Sequence, residues 1–250
     1  MFFQSYFKML IDKNKIWVFI PARSGSKSIK DKNIQKINSI PLLVYSIKTA
    51  LNLKKKGVVD KIVFSSDSTK YINLTKKISK SVKIDHRIKK YSTDYSTDIE
   101  VFKHFIKKIE KKNKYLPEFF LHLRPTTPIR KDATITKAIK YFKKNKKKFS
   151  SLRSITYLEN SSYKTMRIVN GKLCNISKLN FDMDKLNQPR QSYEKTYVAN
   201  GYVDLVKTKN ILNNIFHGSA VYPYLIKEFN SDIDNHEDLE RIKKYLTNNN

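Results

Sequence analysis

Ile16-Trp17-Val18-Phe19-Ile20-Pro21-Ala22-Arg23-Ser24-Gly25-Ser26-Lys27-Ser28-Ile29-Lys30-Asp31-Lys32-Asn33 is the stretch that decides the fold. Five consecutive apolar residues, mostly β-branched or aromatic, predict a short strand buried on both faces, as the strands of parallel sheets are. Pro21 ends the ladder because it has no N–H to donate. Small residues then interleave with cations at Arg23, Lys27, Lys30 and Lys32. Small side chains let backbone N–H groups close on phosphate oxygens, and Arg and Lys supply the countercharge. A buried strand that delivers such a loop predicts a polyanion site.

Outward from this stretch the pattern is that of an α/β protein. Ile40-Pro41-Leu42-Leu43 opens a helix with proline in its first turn. Leu43, Ile47, Ala50 and Leu51 keep one face apolar as far as the lysines at 54 to 56. Lys61-Ile62-Val63-Phe64-Ser65-Ser66-Asp67 reads as a second strand. Strand, helix, strand in this spacing is a right-handed βαβ unit. The first loop then lies at the carboxyl ends of the strands, where such sheets bind ligands. Asp67 falls beside it, and its expected role is to cap the next helix.

Ser81 to Ile84 predicts a third strand, followed by His86-Arg87 and Tyr91-Ser92-Thr93-Asp94. Ile99 to Lys112 predicts a helix with Phe102, Phe105, Ile106 and Ile109 inward. Phe119 to Leu123 reads as a central strand, on which His122 is expected to be buried and hydrogen-bonded. It runs into Arg124-Pro125-Thr126-Thr127-Pro128-Ile129-Arg130, where the two prolines hold the backbone extended. A helix with Asp132 as N-cap follows to about Lys144.

From Ser151 the pattern changes. A strand to Tyr157 precedes Met166 to Cys174, which reads as a hairpin turning at Asn170-Gly171 in a type I′ turn. Tyr202 to Val206 and Ala220 to Ile226 return to the main sheet, and Glu237 to Thr247 closes as a helix. Before that helix, Asp232 and Asp234 alternate on an extended segment and point the same way. Two such carboxylates repel unless a cation lies between them, and Mg²⁺ is the natural partner. Capping by Asp234 or Asn235 is the competing reading.

Segments in order along nearly the whole chain resemble the acylneuraminate cytidylyltransferases. Pro21 to Asn33 resembles their ARxGSKGxxxKN signature, and Arg87 with Asp94 matches R-P-x-x-L-A-x-D, although Ile88 and Ser92 replace the proline and alanine. Leu123 to Arg130 resembles LQPTSPLR; Lys164, Pro189-Arg190-Gln191 and Asn200-Gly201 resemble P-x-K, PRQ and NG; Asp232-Ile233-Asp234 matches D-I-D. The resemblance implies a Rossmann-like nucleotide-diphospho-sugar transferase fold, a mixed, mostly parallel sheet flanked by helices. It implies one cytidylyltransferase domain over residues 14–250 after an extension of residues 1–13. Within it, a β-hairpin insertion at about 155–195 would reach a neighbouring subunit, hence a homodimer.

The implied reaction joins CTP and a nonulosonic, sialic-acid-like sugar acid and releases pyrophosphate. In it Arg23, Lys27 and Lys32 would hold the triphosphate and the departing pyrophosphate, within a nucleotide loop that includes Ser26. Asn33, Arg87 and the backbone at Ala22 would read cytidine, Asn200 would serve the sugar pocket, and Asp232 and Asp234 would hold Mg²⁺. Sialic-acid enzymes of the family commonly carry glutamine, arginine and tyrosine where this chain has Arg124, Val198 and Asp204. Arg124, with Lys164 and Arg190, is therefore expected to clamp the sugar carboxylate, and Asp204 to alter the hydroxyl or acylamino contacts. Another sugar acid, such as 3-deoxy-manno-octulosonate, is the alternative substrate.

Composition bounds the rest. At 250 residues the chain is one large domain, or one with a modest insertion. Its formal charge of +29 raises the alternative of a nucleic-acid binder. The excess is nearly all lysine spread through every segment, however, with clusters at predicted helix ends where cations complement the dipole. No surface of interleaved Arg and aromatics of the kind that reads or stacks bases stands out. The lone Cys174 excludes an internal disulfide framework and a cysteine-based zinc site. No apolar run approaches the roughly 20 residues that span a bilayer, and the N-terminal dozen does not resemble a signal peptide, so a cytoplasmic protein is expected.

Overall fold

The computed structural model describes residues 11–111, 115–176 and 183–248. Its strands are β1 (Ile11–Pro21), β2 (Lys36–Ile37), β3 (Ile40–Pro41), β4 (Lys61–Ser66), β5 (Lys83–His86), β6 (Leu116–His122), β7 (Ser151–Tyr157), β8 (Met166–Val169), β9 (Lys172–Asn175), β10 (Tyr197–Lys207) and β11 (Val221–Leu225). The helices are α1 (Leu42–Lys55), α2 (Thr69–Ile78), α3 (Asp98–Glu110), α4 (Asp132–Asn145), α5 (Thr208–Leu212) and α6 (His236–Asn248). Seven strands form one sheet in the order β11-β7-β10-β6-β1-β4-β5. Every pairing is parallel except the two that β10 makes, with β6 and with β7.

The expected alternation of β1 is realised. Ile16, Val18 and Ile20 pack with Leu43 and Ile47 of α1 and with Ile135, Ile139 and Phe142 of α4 on one face. Trp17 and Phe19 meet Phe102 and Phe105 of α3 and Ile211 of α5 on the other. The sheet is thus a central layer with helices on both sides, and β1 contributes to each core through alternate residues. β1 also begins earlier than expected: Ile11 and Asp12 pair with Leu116 and Pro117, so residues 11–13 belong to the strand rather than to an extension. Residues 1–10 of that extension lie outside the described residues.

Because β1, β4, β5 and β6 run parallel, Pro21, Ser66, His86 and His122 end at one edge of the sheet. The expected helices over 99–112 and 132–144 are observed as α3 and α4. Thr97 and Glu100 form a reciprocal capping box at the start of α3. Asp132 does not cap α4; it is the first helical residue and pairs with Lys56 at 2.8 Å. The β8–β9 ribbon turns at Asn170 and Gly171 with φ of 50° and 74°, both positive as a type I′ turn requires. It is a separate two-stranded sheet in the stretch between β7 and β10.

Candidate active site

The loop after β1 is fixed from several directions. Asp67, at the end of β4, accepts from the Ser24 N–H at 2.8 Å and from the Ser24 hydroxyl at 2.6 Å. The cap of α2 is instead Ser68, whose side chain accepts from the Tyr71 N–H. Asp67 therefore braces the loop, contrary to the capping expectation. A carboxylate next to two donors of one residue is a stronger local minimum than a helix cap that a neighbouring serine can supply. Asn33 is buried and donates through Nδ2 to the Arg23 carbonyl at 2.9 Å. The Ala22 N–H is committed to the Ser65 carbonyl, and Ala22 is not among the residues that line the cleft described next.

Beside this loop opens a cleft of about 450 Å³. One wall carries Arg23, Ser26, Lys27, Lys32 and Asn33. Another carries Arg87, Tyr91 and Asp94, and the far end Asp98, Arg124, Pro125 and Thr126. Lys32 crosses to the C-terminal segment, donating to the Ile233 carbonyl at 2.7 Å and lying 3.3 Å from the Asp234 carboxylate. Arg87 is buried, with its Nε and one terminal nitrogen unpartnered among the described residues, and burial pulls its pKa down. A desolvated guanidinium without a full set of acceptors is costly unless a ligand supplies them.

Asp94 stands opposite the loop cations. One oxygen lies 2.5 Å from Arg23 and the other 2.9 Å from Lys27. The Lys27 hydrogen bond above all, with Arg23 adding to it, holds its carboxyl below the usual range against the opposing effect of desolvation.

The far end is a charge cluster built on the buried Asp204. Arg124 donates to Asp204 at 2.9 Å and to Asp98 at 2.7 Å. Burial alone would lower the Arg124 pKa, but the two carboxylates more than offset it and the pKa is raised. Asp204 is 1% exposed, pairs with Arg124 and is not among the residues that line the cleft, so any effect of this position on the substrate's hydroxyl or acylamino contacts is indirect. His122 is fully buried, as expected, yet neither ring nitrogen has a hydrogen-bond partner among the described residues. Burial pushes its pKa down to about 4, leaving a neutral imidazole 3.9 Å from Asp98. The hydrogen-bonded histidine expected from the sequence is thus half right. Arg130, which sequence reasoning passed over, is half-buried and donates to the carbonyls of Arg124, Gly201 and Tyr202 and to Ser46 Oγ. It ties the two-proline loop to the bend in β10. Gly201 is required there: its φ is +66°, and a Cβ would meet Thr127 Oγ1 at 2.7 Å.

Lys164 and Arg190 do not join Arg124 within one chain. They line a second cleft with Glu159, Asn160, Ser161 and Thr165, and Arg190 donates to the Tyr157 hydroxyl. Asn200 is buried at the β10 bend, where its side-chain oxygen accepts from the Tyr202 N–H and its amide nitrogen has no partner among the described residues. Asp232 and Asp234 flank the buried Ile233, whose N–H donates to the Thr126 carbonyl. Asp234 lines the main cleft, while Asp232 approaches Thr127 at 3.4 Å. Capping of α6 falls to Asn235, which accepts from the Asp238 N–H, and Asp238 answers by accepting from the Asn235 and Asp234 N–H groups. Neither aspartate's side chain is used as a cap.

Comparison with known proteins bears on the family and the fold. An N-acylneuraminate cytidylyltransferase of Escherichia coli is 29% identical over 232 residues, 91% of this chain and 51% of that protein. A pseudaminic acid cytidylyltransferase of Campylobacter jejuni is 33% identical over 130 residues, 52% of this chain and 54% of that protein. The chain spans about half the length of the curated relatives named here. A solved CMP:2-keto-3-deoxy-manno-octonic acid synthetase in complex with CTP superposes with a TM-score of 0.68, covering 95% of this chain and all of that one, at 10% identity, which speaks for the fold. A family model described as cytidylyltransferase matches residues 17–247, nearly the whole chain, and the protein belongs to that family.

Proposed function

We propose that the protein transfers CMP from CTP to the anomeric hydroxyl of a nonulosonic, sialic-acid-like sugar acid and releases pyrophosphate. The observation that carries this reading is the buried, under-partnered Arg87 guanidinium on a cleft whose facing wall is the cationic loop of Arg23, Lys27 and Lys32. A nucleoside triphosphate has the two halves such a cleft needs, a base for one wall and a polyanion for the other. The sugar hydroxyl oxygen attacks the α-phosphorus in line, the bond to the bridging oxygen breaks, and pyrophosphate departs with the displaced charge. Such a step depends mainly on positioning and charge neutralisation. Arg23, Lys27 and Lys32 hold the triphosphate and meet the charge that builds on the leaving group. Arg87 and Asn33 orient the cytidine end.

Asp232 and Asp234 fit Mg²⁺. They are hard oxygen donors on one short segment, and Mg²⁺ binds through one or two carboxylates, its own waters and substrate phosphates. No group of three potential ligands occurs among the described residues, so waters and substrate phosphates would have to complete the coordination. When bound, Mg²⁺ supplies charge neutralisation at phosphate and lowers the pKa of a coordinated hydroxyl.

In this reading the sugar acid takes the far end of the cleft, where Arg124 lies. Lys164 and Arg190 would serve the sugar only from a neighbouring subunit. The exposure of Ile168 and Leu173 on the β8–β9 ribbon supports such a homodimer. No described helix is long and apolar enough to cross a membrane, and a cytoplasmic site is proposed with the CTP substrate. The test is pyrophosphate release from CTP with a panel of N-acetylneuraminate, pseudaminate and 3-deoxy-manno-octulosonate. Release with a nonulosonate supports the reading, and release with the octulosonate alone moves the substrate. Failure with all three, together with steeply salt-dependent duplex binding, would replace it with the nucleic-acid alternative.

A further inference from the structure

Among the described residues, Asp94 is the one carboxylate in contact with two cations of the phosphate loop, and each of those contacts is made by a separate oxygen, Arg23 at 2.5 Å and Lys27 at 2.9 Å. Two oxygens of a polyphosphate would present themselves to the same pair in the same way. The Lys27 side chain is 80% exposed, and Asp94 is its one partner among the described residues. The Asp94 side chain is itself 30% exposed and sits in a polar turn held by bonds between Thr93 and Ser96. Asp94 as a whole is an exposed residue and belongs to none of the hydrophobic clusters, so the contact can open without disturbing a core.

We infer that Asp94 is an exchangeable stand-in for polyphosphate. It keeps Arg23 and Lys27 aimed across the cleft when no polyphosphate is bound, yields them to the triphosphate of CTP, and reclaims them as pyrophosphate leaves. The inference rests on the reading of this cleft as a nucleotide site. A triphosphate wins the exchange because it brings several negative charges where the carboxylate brings one. The competition still lowers apparent affinity, in proportion to the fraction of time the cations are free. If Asp94 holds them for about nine-tenths of the time, its removal tightens binding about tenfold. The same competition speeds release of the product, which shares the polyphosphate but lacks the nucleoside contacts with Arg87 and Asn33.

The test is calorimetric titration of the full chain with inorganic pyrophosphate and with CTP in EDTA, for the parent, Asp94→Asn, Lys27→Ala and the double variant. Asp94→Asn should bind pyrophosphate at least fivefold more tightly and release it more slowly in stopped-flow. The gain should shrink by at least half in the Lys27→Ala background, because the partner it frees is gone. Equal or weaker binding by Asp94→Asn would overturn the inference, since Asp94 would then position the loop for its ligand. An undiminished gain without Lys27 would overturn it too, by making Asp94 one anion in a general field. If the parent binds pyrophosphate and CTP but Asp94→Asn is no tighter, this inference alone fails. If the parent binds neither, the nucleotide reading fails with it. Asp94→Ser, which also removes the charge, carries the same comparison if Asp94→Asn does not fold.

Discussion

Replacing Arg124 by glutamine should cost the protein about 3 kcal/mol of stability, on the order expected when one partner of a buried pair is removed. Arg124 neutralises Asp204, a side chain 1% exposed, at 2.9 Å, and Asp98 at 2.7 Å. With Arg124 gone, the nearest remaining cation to Asp204 is Arg153 at 3.9 Å, and one Asp204 oxygen already lacks a hydrogen bond. Two charges about 4 Å apart at an effective dielectric near 20 attract by about 4 kcal/mol, and Arg153 recovers part of that. The Asp98 pair is more than a third exposed and contributes little after solvent screening. For a chain of this size the loss lowers the melting temperature by about 6–12 °C. Urea unfolding followed by circular dichroism measures it, and Asp204→Asn in the same molecule should restore most of the loss by removing the stranded charge. An Arg124→Gln protein within about 1 kcal/mol of its parent, or a double variant less stable than the single, refutes the reasoning. The double variant also isolates the sugar contact. If Arg124 meets the substrate carboxylate, its KM for the sugar acid rises about tenfold, a loss of about 1.4 kcal/mol, with KM for CTP unchanged.

Other outcomes follow from the same geometry. Lys27→Ala should leave stability unchanged and lower kcat by at least thirtyfold, since a cation facing a leaving phosphate is worth roughly 2–4 kcal/mol in the transition state; a variant keeping a third of parental kcat would show that Lys27 has no such part. Asp232→Asn and Asp234→Asn should each raise the Mg²⁺ concentration needed for half-maximal turnover, and turnover that persists in excess EDTA would sink the metal assignment. His122 titrates at about 4 in the folded protein against 6.5 when free, because burial disfavours its charged form. Between those values the unfolded chain binds the proton and the folded one does not. Stability is therefore full above about pH 6.5 and falls by up to about 3 kcal/mol as pH drops toward 4. His122→Leu should flatten that slope in denaturation curves taken across the window.

The parts of this molecule that follow from local pattern were legible in its sequence. Alternate residues of β1 enter opposite cores because a strand has a period of two, and Asn170-Gly171 turns because both residues tolerate positive φ. The loop cations and the alternating Asp232 and Asp234 could be singled out for the same reason, since each announces itself within a few residues, whereas Arg87 stood out only through the family resemblance. What could not be read are pairings between distant positions. Asp204 and Arg124 lie 80 residues apart in sequence, Arg23 and Asp94 71 apart. No window of either segment reveals that a carboxylate and a guanidinium will face each other after the sheet forms. Asp67 was misread for a related reason: a cap is a local role, while its two hydrogen bonds go to Ser24, 43 positions away. Asp98 carried a usable signal, because the Thr97–Glu100 capping box marks it as the first residue of a helix aimed at the strand ends.

The contact between Lys32 and the segment of Ile233 and Asp234 closes a loop of about two hundred residues, with the two positions 202 apart. The cationic loop is local to the first βαβ unit, whereas the Lys32 contact exists only once the Ile233–Asp234 segment has docked beside it. Contacts at such a separation reward the chain only after the entropy of loop closure has been met, and they form late in folding. The cleft is therefore finished after the sheet that carries it.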